Sequence, residues 1–312
     1  GDLTGGWYQH PVSAPELLAD KFAADRALPT AEKLAALAAL LDPGYLYPAE
    51  AFDRAWRALL CNDEHSYGTS GYQGRRVYET WMQHRAWIER AETTARQEAD
   101  AALRCIASKI QSNGEQVVAF NPAAQARTEL LSFEGGQALS DLPSFGYAVI
   151  PAAQFTRPQP EIQETETPPV VENAFYRVAF SENGGISSIE DKALARELLD
   201  RTSKYPAGCF VYTEDNHRSF HTPGRARFTV EKDEFSIRVT ARMDEACSGA
   251  VICQQVTLPA HEKRIELDNR LEHVRGLFND CRYSRYAYYA LPFVVPGELW
   301  LCHLCGCVAE YG

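Results

Sequence analysis

Apolar residues follow two different spacings along the chain, one before and one after residue 112. In the first part they recur at steps of three, four or seven, which is the spacing of one face of an α-helix. The first clear segment has Thr30 as its expected N-cap and Pro43-Gly44 as its stop. Its apolar positions are Ala31, Leu34, Leu37 and Leu41. The pattern predicts a helix over residues 30–41, with an irregular segment over residues 1–20.

Two more helices are predicted in this part. One follows Tyr47-Pro48, because proline is tolerated in the first turn of a helix, and it carries Phe52, Trp56 and Leu59 toward a core. The other covers residues 73–110 and has an alanine-rich apolar stripe with charged residues on its other sides. Two short helices packed on one long helix predict a helical bundle.

At Ser112-Asn113-Gly114 the spacing changes from about 3.6 to two, which is typical of β-strands. We expect residues 116–120 and 128–133 to pair as a hairpin, and residues 146–151 to form the next strand. The stretch 155–169 is rich in Pro, Gln, Glu and Thr. Because it has few apolar side chains to bury, it predicts an exposed linker.

The remainder of the chain alternates persistently between apolar and polar positions. Asn183-Gly184-Gly185, between residues 175–180 and 186–189, is a strong hairpin signal. Many short strands with regular turns predict a large antiparallel β-sandwich, so the fold class is α+β: a three-helix bundle followed by that sandwich. The further strands are predicted at residues 209–213, 226–230, 235–241, 250–258, 265–271, 286–293 and 299–302.

Composition excludes some functions. The 312 residues carry a formal net charge of −11, which argues against a nucleic-acid partner, and no apolar run approaches the roughly 20 residues of a membrane span. Nine cysteines, an odd number, do not suggest a disulfide framework and favour reduced thiols in a cytoplasmic protein. Cys302, Cys305 and Cys307 could contribute to a zinc site, but no second pair lies at a fitting distance, so a buried strand is the favoured interpretation.

The stretch richest in side chains that can bind metal or take part in catalysis is the polar loop at residues 60–71, between the second and third predicted helices. It contains Asp63, Glu64, His65 and Tyr67. Helices on both sides would hold these groups rigidly, as a metal or catalytic site requires. His65 could bind zinc through one ring nitrogen while a carboxylate orients the ring, with the other ligands supplied from elsewhere. The alternative is a simple interhelical turn, because turns are also made of Asn, Asp, Ser and Gly.

Other histidines are weaker candidates. His84 lies inside the long predicted helix, where a surface or packing role is favoured over a ligand role. His217 and His221 are four residues apart, but the Thr-Pro-Gly that follows favours a solvent-facing loop. The sequence contains no glycine-rich phosphate loop, Gly-x-Ser-x-Gly or His-Glu-x-x-His, which disfavours nucleotide-binding, lipase-type and zincin functions.

Several motifs in order resemble the class II alpha-mannosidases of glycoside hydrolase family 38. They are Asn-Asp-Glu-His-Ser-Tyr-Gly at residues 62–68, Val-Ala-Phe-Asn-Pro at 118–122, residues 172–178, 184–192 and 196–198, and Tyr-Tyr-Ala-Leu-Pro-Phe at 288–293. The resemblance implies a barrel-like N-terminal domain, a three-helix bundle and β-sandwich domains of galactose-mutarotase-like fold. It also implies retaining hydrolysis of alpha-mannosides by an aspartate nucleophile, a carboxylic acid/base and a zinc ion that binds mannose hydroxyls.

Matched by motif, His65 corresponds to the zinc-ligating histidine of that family's bundle, and Asp63, Glu64 and Tyr67 would be pocket neighbours. The family's His-x-Asp zinc motif, nucleophile and barrel would precede Gly1, and the sandwich is expected to be incomplete at Gly312. We therefore expect a chain that is inactive alone, from a parent that binds alpha-mannoside oligosaccharides or glycosides. A homo-oligomer is possible, but the sequence does not determine the oligomeric state. The expected segments are a domain tail at 1–20, the bundle at 21–112, a hairpin region and linker at 113–170, and the sandwich at 171–312.

Two other functions remain open at this point. The chain could be a non-catalytic carbohydrate-binding or scaffold module, with Tyr286, Tyr288 and Trp300 as platforms for sugar rings. Alternatively, its β domain could only brace a catalytic domain and mediate oligomers.

Overall fold

The computed structural model describes residues 15–63, 75–111, 114–213, 219–246, 249–273, 287–295, 300–304 and 307–311. The chain divides into two compact units, Gly1–Thr156 and Arg157–Gly312. The first contains the helices and four strands, and the second contains the remaining strands. Within the described residues, no helix is long and apolar enough to cross a membrane.

The first helix, α1, spans Pro15–Leu41. The predicted start at Thr30 is therefore wrong, and residues 15–20, which were predicted to be irregular, are helical. Pro29 lies inside this helix, where the loss of one backbone hydrogen bond costs about 3 kcal/mol. The apolar stripe on both sides of Pro29 offsets this cost, because it stays buried from Leu17 to Ala38. Thr30 is therefore no N-cap: its hydroxyl donates to the Arg26 carbonyl oxygen at 2.9 Å, one turn earlier.

The other two helices lie where the sequence predicts them: α2 at Ala49–Asn62 and α3 at Arg75–Ser108. All three helices contribute to one hydrophobic cluster, in which alanines on α1 and α3 allow close packing. Its buried members are Leu17, Ala24, Leu28, Ala31, Leu34, Ala35, Ala38, Phe52, Ala55, Leu59, Ile88, Ala91, Ala95, Ala102 and Ile106.

Four strands complete the first unit, and their pairing corrects the predicted hairpin. Strand β1 (Gln116–Phe120) does not pair with β2 (Arg127–Phe133) but with β4 (Tyr147–Pro151). Strand β2 pairs instead with β3 (Gly136–Leu142), a strand that the sequence pattern did not indicate. The turn between them, Glu134-Gly135, has φ of 48° and 79°, which is the positive-φ geometry of a tight hairpin.

Strands of the second unit form antiparallel sheets of four, five, three and two strands. The hairpin predicted at Asn183-Gly184-Gly185 is confirmed, because β7 and β8 pair across it. The sheet orders are β6-β7-β8-β9, β15-β14-β13-β12-β5, β11-β10-β16 and β17-β18. The strands are β5 Glu161–Thr165, β6 Val170–Glu172, β7 Tyr176–Phe180, β8 Ile186–Asp191, β9 Arg196–Glu197, β10 Phe210–Thr213, β11 Phe220–His221, β12 Arg227–Lys232, β13 Ser236–Ala246, β14 Ala250–Pro259, β15 Glu266–Glu272, β16 Ala287–Tyr289, β17 Trp300–Leu304 and β18 Cys307–Tyr311.

Side chains from the four-, five- and three-stranded sheets share one hydrophobic core. Phe180 of β7 meets Phe228 of β12 edge-on, with ring centroids 6.0 Å apart. Phe210 of β10 meets Tyr289 of β16 in the same way at 5.4 Å. Burial raises the pKa of Tyr289 to about 12. The described residues thus have an α+β fold, with three α-helices and several antiparallel sheets.

Strand β5 corrects the predicted linker at residues 155–169. It pairs with β12 along its whole length, from Glu161 opposite Lys232 to Thr165 opposite Phe228. Most of its side chains are exposed, as expected for an edge strand that is held by backbone hydrogen bonds. The spacing of apolar residues therefore could not predict β5.

The Glu197 carboxylate on β9 accepts hydrogen bonds from β8 and makes the stability of this sheet pH-dependent. Burial alone would raise its pKa, but hydrogen bonds from the Ser188 hydroxyl at 2.5 Å and from the Ile189 and Leu199 backbone N–H groups lower it. A lowered folded-state pKa contributes stability above the ordinary glutamate value of about 4.3, and this contribution is lost as the pH falls through the folded pKa.

We therefore expect Glu197→Gln to lower the free energy of unfolding at pH 7 by about 1–2 kcal/mol. The difference from the wild type should shrink as the pH falls below about 4. Urea unfolding between pH 3 and pH 7 measures it, with the exposed Glu161→Gln as a control. A difference that is constant across this range would contradict the assignment.

Candidate functional site

The loop that carries the predicted site follows the last residue of α2. Asp63 is described, whereas Glu64, His65 and Tyr67 lie outside the described residues. The roles predicted for those three therefore stay predictions. What the structure defines is the helical frame from which the loop departs.

Asp63 is bound to α1. Its carboxylate lies 2.9 Å from the Lys21 ammonium, which also contacts Asp25 at 2.7 Å. Burial lowers the pKa of Lys21, but the hydrogen bonds and charges of Asp25 and Asp63 outweigh it and raise that pKa above its ordinary value. The Lys21 side chain is 17% exposed and that of Asp63 47% exposed. The ion pair therefore ties the end of α2 to α1 at the edge of solvent.

Asn62 is bound to α3. Its side chain is completely buried, and its Oδ1 lies 2.9 Å from Nδ1 of His84, which is only 2% exposed. This contact joins the Asn62 amide to the imidazole of His84 by a buried hydrogen bond. The imidazole also meets the edge of the Trp87 ring, with centroids 5.1 Å apart. His84 is thus a buried packing residue rather than a surface one.

This Asn62–His84 contact was missed from the sequence, although a signal for it exists. The apolar stripe of α3 steps from Trp81 to Ile88, and His84 fills the gap at spacings of three and four. A histidine on a buried helical face needs a polar partner. Its partner is 22 residues away, so spacing along the helix could not identify it.

Two buried donors near this helix end have no acceptor among the described residues: Asn62 Nδ2 and Trp81 Nε1. A buried donor without an acceptor costs about 1–3 kcal/mol. Acceptors from water or from outside the described ranges would be needed to satisfy them.

The part of the chain that is described contains no group of three or more His, Cys, Asp or Glu side chains able to hold a metal ion. Asp63 is engaged by an ammonium group, which disfavours it as a ligand. By residue type alone, an imidazole such as that of His65 can supply one zinc ligand, and a four-coordinate site would need further ligands.

The remaining metal candidates receive no support. His221 is exposed on β11, with its ring 5.5 Å from that of Tyr212, and His217 lies outside the described residues. Cys302 and Cys307 belong to the paired strands β17 and β18, but their side chains, and all of Cys305, are outside what is described.

One exposed aromatic group stands out on the three-stranded sheet. Tyr288 of β16 is 41% exposed, and its ring centroid lies 6.2 Å from that of Phe220 on β11. Lys204 lies 5.0 Å above the ring of Tyr205, and both residues influence the pKa of Tyr288, which burial raises. The side chains of Tyr286 and Trp300 are outside the described set.

Part of the second unit matches a known protein family. Residues 171–278 match the family model described as the glycosyl hydrolases family 38 C-terminal domain. This range begins in β6 and includes the four-stranded sheet and strands β12–β15.

Two individual proteins are also similar. Alpha-mannosidase 2C1 from Homo sapiens is 31% identical over 184 residues, which are 56% of this chain and 17% of that protein. The crystal structure of an alpha-mannosidase from Enterococcus faecalis V583 matches with a TM-score of 0.58 and 15% identity, and covers 87% of this chain and 42% of that one. At that identity the second likeness shows the fold alone. The chain spans less than half the length of either relative.

The three comparisons agree with one another and with the motifs in the sequence. The resemblance of this chain to the alpha-mannosidases of glycoside hydrolase family 38 is therefore confirmed: residues 171–278 match that family's C-terminal domain, and the human relative is an alpha-mannosidase.

Proposed function

We propose that this chain is the helical-bundle and β-domain part of a zinc-dependent, retaining alpha-mannosidase that hydrolyses terminal alpha-mannosides. The observation that carries the proposal is the family 38 C-terminal domain at residues 171–278, which follows a three-helix bundle. The motif order at residues 62–68 and 118–122 supports it, because both motifs precede that domain as they do in the family.

Within this enzyme, His65 would supply one zinc ligand, and the zinc would bind hydroxyls of the mannose ring. Asp63 is better explained as a tie to Lys21 than as a contact to substrate, because its carboxylate is already paired. The nucleophile, the acid/base and the other ligands would belong to a barrel domain outside this chain, so the chain alone would be inactive. The 17% coverage of the human relative is consistent with this division.

The second unit would be a galactose-mutarotase-like β-sandwich. The shared core supports this, since side chains of the four-stranded and five-stranded sheets pack on each other through Phe180 and Phe228.

The free thiols of Cys61, Cys105, Cys209 and Cys253 fit the reducing, cytoplasmic location expected from the sequence.

Hydrolysis of an aryl alpha-mannoside by the full-length protein tests the proposal. We expect release of the phenol, with alpha-mannose as the first sugar product in the NMR spectrum, because two successive inversions retain the configuration. A chelator should abolish the reaction, and added zinc should restore it. Activity that is insensitive to the chelator, or beta-mannose as the first product, would refute the corresponding part of the proposal.

A second function is favoured by the exposed Tyr288–Phe220 pair. Aromatic rings beside polar groups can stack on the apolar face of a sugar, so the β domain could act as a carbohydrate-binding module. Calorimetry with mannose oligosaccharides distinguishes the two functions. If this chain binds the oligosaccharides and Tyr288→Ala abolishes that binding, the carbohydrate-binding module is favoured. If no heat of binding is measured, this second function is excluded.

A further inference from the structure

The loop between β14 and β15, residues 260–265, contacts two of the sheets of the second unit. It begins in the five-stranded sheet, where the Ala260 backbone N–H donates to the Phe235 carbonyl oxygen at 2.8 Å. Pro259, the last residue of β14, and Lys263 in the loop contact the four-stranded sheet instead. The loop is therefore attached both to its own sheet and to the sheet that shares its core.

Two polar side chains of the four-stranded sheet make the contacts to this loop. The amide of Asn173, between β6 and β7, donates to the Pro259 carbonyl oxygen at 2.9 Å. The carboxylate of Asp191, the last residue of β8, lies 2.8 Å from the Lys263 ammonium. Both residues stand in the segments that carry the family resemblance, and the proposed function gives neither of them a role.

The same two side chains also stabilise the turns in which they lie. Asn173 Oδ1 accepts hydrogen bonds from the N–H groups of Phe175 and Tyr176 at 2.9 and 2.8 Å. Asp191 Oδ1 accepts from the N–H groups of the second and third residues after it, both at 3.0 Å. The other polar atom of each side chain, Asn173 Nδ2 or Asp191 Oδ2, contacts the loop. The loop contacts can therefore be removed by substitutions that keep the turns.

Asp191 is the buried member of its ion pair. Its side chain is 4% exposed, whereas that of Lys263 is 39% exposed. The hydrogen bond from Lys263 lowers the pKa of Asp191 and, together with the turn N–H groups, outweighs burial, which would raise that pKa. The stabilising effect of the ion pair is therefore fully present above the ordinary aspartate value of about 3.9, and it is lost as the pH falls through the lower folded-state pKa.

Other charged and titratable groups lie near this contact. Arg196 lies opposite Asp191 on β9, and Tyr176 lies opposite it on β7. The ion pairs of the adjacent turn and of the loop are Lys192–Glu172, Arg264–Glu262 and Arg264–Glu266. His261 also belongs to the loop, and its Nδ1 is buried without a hydrogen-bond partner among the described residues. A test of acid sensitivity must therefore separate Asp191 from His261.

We propose that Asn173 and Asp191 form a latch that holds the β14–β15 loop on the four-stranded sheet, and that protonation of Asp191 releases the loop while the shared core stays packed. The core contact between Phe180 and Phe228 contains no titratable group, so acid does not act on it directly. The inference does not depend on the proposed mannosidase activity.

Tryptic cleavage of the full-length protein at neutral pH tests the latch, because trypsin cleaves after Lys263 and Arg264 once the loop opens. Asp191→Asn keeps the oxygen that accepts from the turn and removes the charge. Asn173→Asp keeps its turn acceptor and removes the donor to Pro259. We expect each variant to raise the rate of cleavage in the loop by about tenfold, since cleavage follows the population of the open form. The melting temperature should fall less than in Phe228→Ala.

Asp244→Asn is the matched control for these variants. It makes the same change in a carboxylate that is paired with Arg227 and Arg242, within the β12–β13 part of one sheet. Its cleavage rate in the loop should stay within about twofold of the wild type, because exposed ion pairs contribute little. Wild-type rates in both latch variants, or an equal increase in Asp244→Asn, would overturn the latch.

Hydrogen exchange of the loop amides between pH 3 and pH 7, corrected for the intrinsic effect of pH, tests release by acid. In the wild type, exchange at residues 260–265 should accelerate as the pH falls below about 4, while the amides of β13 and β14 stay protected. Asp191→Asn should exchange rapidly throughout and lose this response. A response that persists in Asp191→Asn would assign the release to another group, such as His261. That result, or a wild type without any response, would overturn release through Asp191.

Discussion

Replacing His65 with alanine in the full-length protein is expected to lower kcat/KM on an aryl alpha-mannoside by more than about 100-fold. Removal of a residue that only supports a metal ligand already lowers metal affinity or activity 10- to 100-fold. Loss of the ligand itself should exceed that range. We expect this effect to come from the loss of a zinc ligand and not from unfolding. Thermal unfolding of the same variant should show a melting temperature close to that of the wild type.

His221→Ala is the matched control for this variant. It removes the same side chain from an exposed position on β11, far along the chain from the loop. Its kcat/KM should stay within about twofold of the wild type, since exposed substitutions are usually nearly neutral. If His65→Ala kept activity within threefold of the wild type, His65 would not be a ligand of the catalytic metal.

Phe228→Ala is expected to destabilise the second unit by about 3–5 kcal/mol, the usual cost of removing a buried phenylalanine. Phe228 is 1% exposed and packs edge-on against Phe180 from the facing sheet. Its loss leaves a cavity between the sheets that the surrounding strands can fill only in part. For a unit of this size, the change corresponds to a melting temperature lower by roughly 6–20 °C.

Calorimetric unfolding of the chain measures this loss, and Phe220→Ala controls for the size of the deletion. Phe220 is the same residue type but is 38% exposed, so its removal should cost less than about 1 kcal/mol. Equal destabilisation by the two variants would contradict a core shared between the sheets at Phe228.

Features with a local signal were predictable from the sequence. The long helix α3 is defined by its own apolar stripe, and the β7–β8 hairpin by the turn residues at Asn183-Gly184-Gly185. Pairing between distant strands was not predictable in this way. Nothing in residues 116–120 indicates that they pair with β4 rather than with β2, because that choice depends on contacts across the whole unit.

Two other features show how packing can override a local rule. Thr30 was expected to cap the start of a helix, yet the buried stripe that continues through α1 across Pro29 is worth more than one lost hydrogen bond. For the site, the motif around His65 pointed to the loop, but the side chains that contact the end of α2 come from elsewhere in the bundle. His84 and Lys21 reach the end of α2 only in the folded state, so no spacing in the sequence connects them to it.

We propose that His65 of this chain is a zinc ligand in an alpha-mannosidase. The most direct measurement is the zinc content of purified full-length wild-type and His65→Ala proteins, determined by elemental analysis after dialysis. The account predicts about one zinc per wild-type chain and a large loss in the variant, with mannosidase activity lost in parallel. Equal zinc content in the two proteins, or an active wild type without zinc, would contradict it.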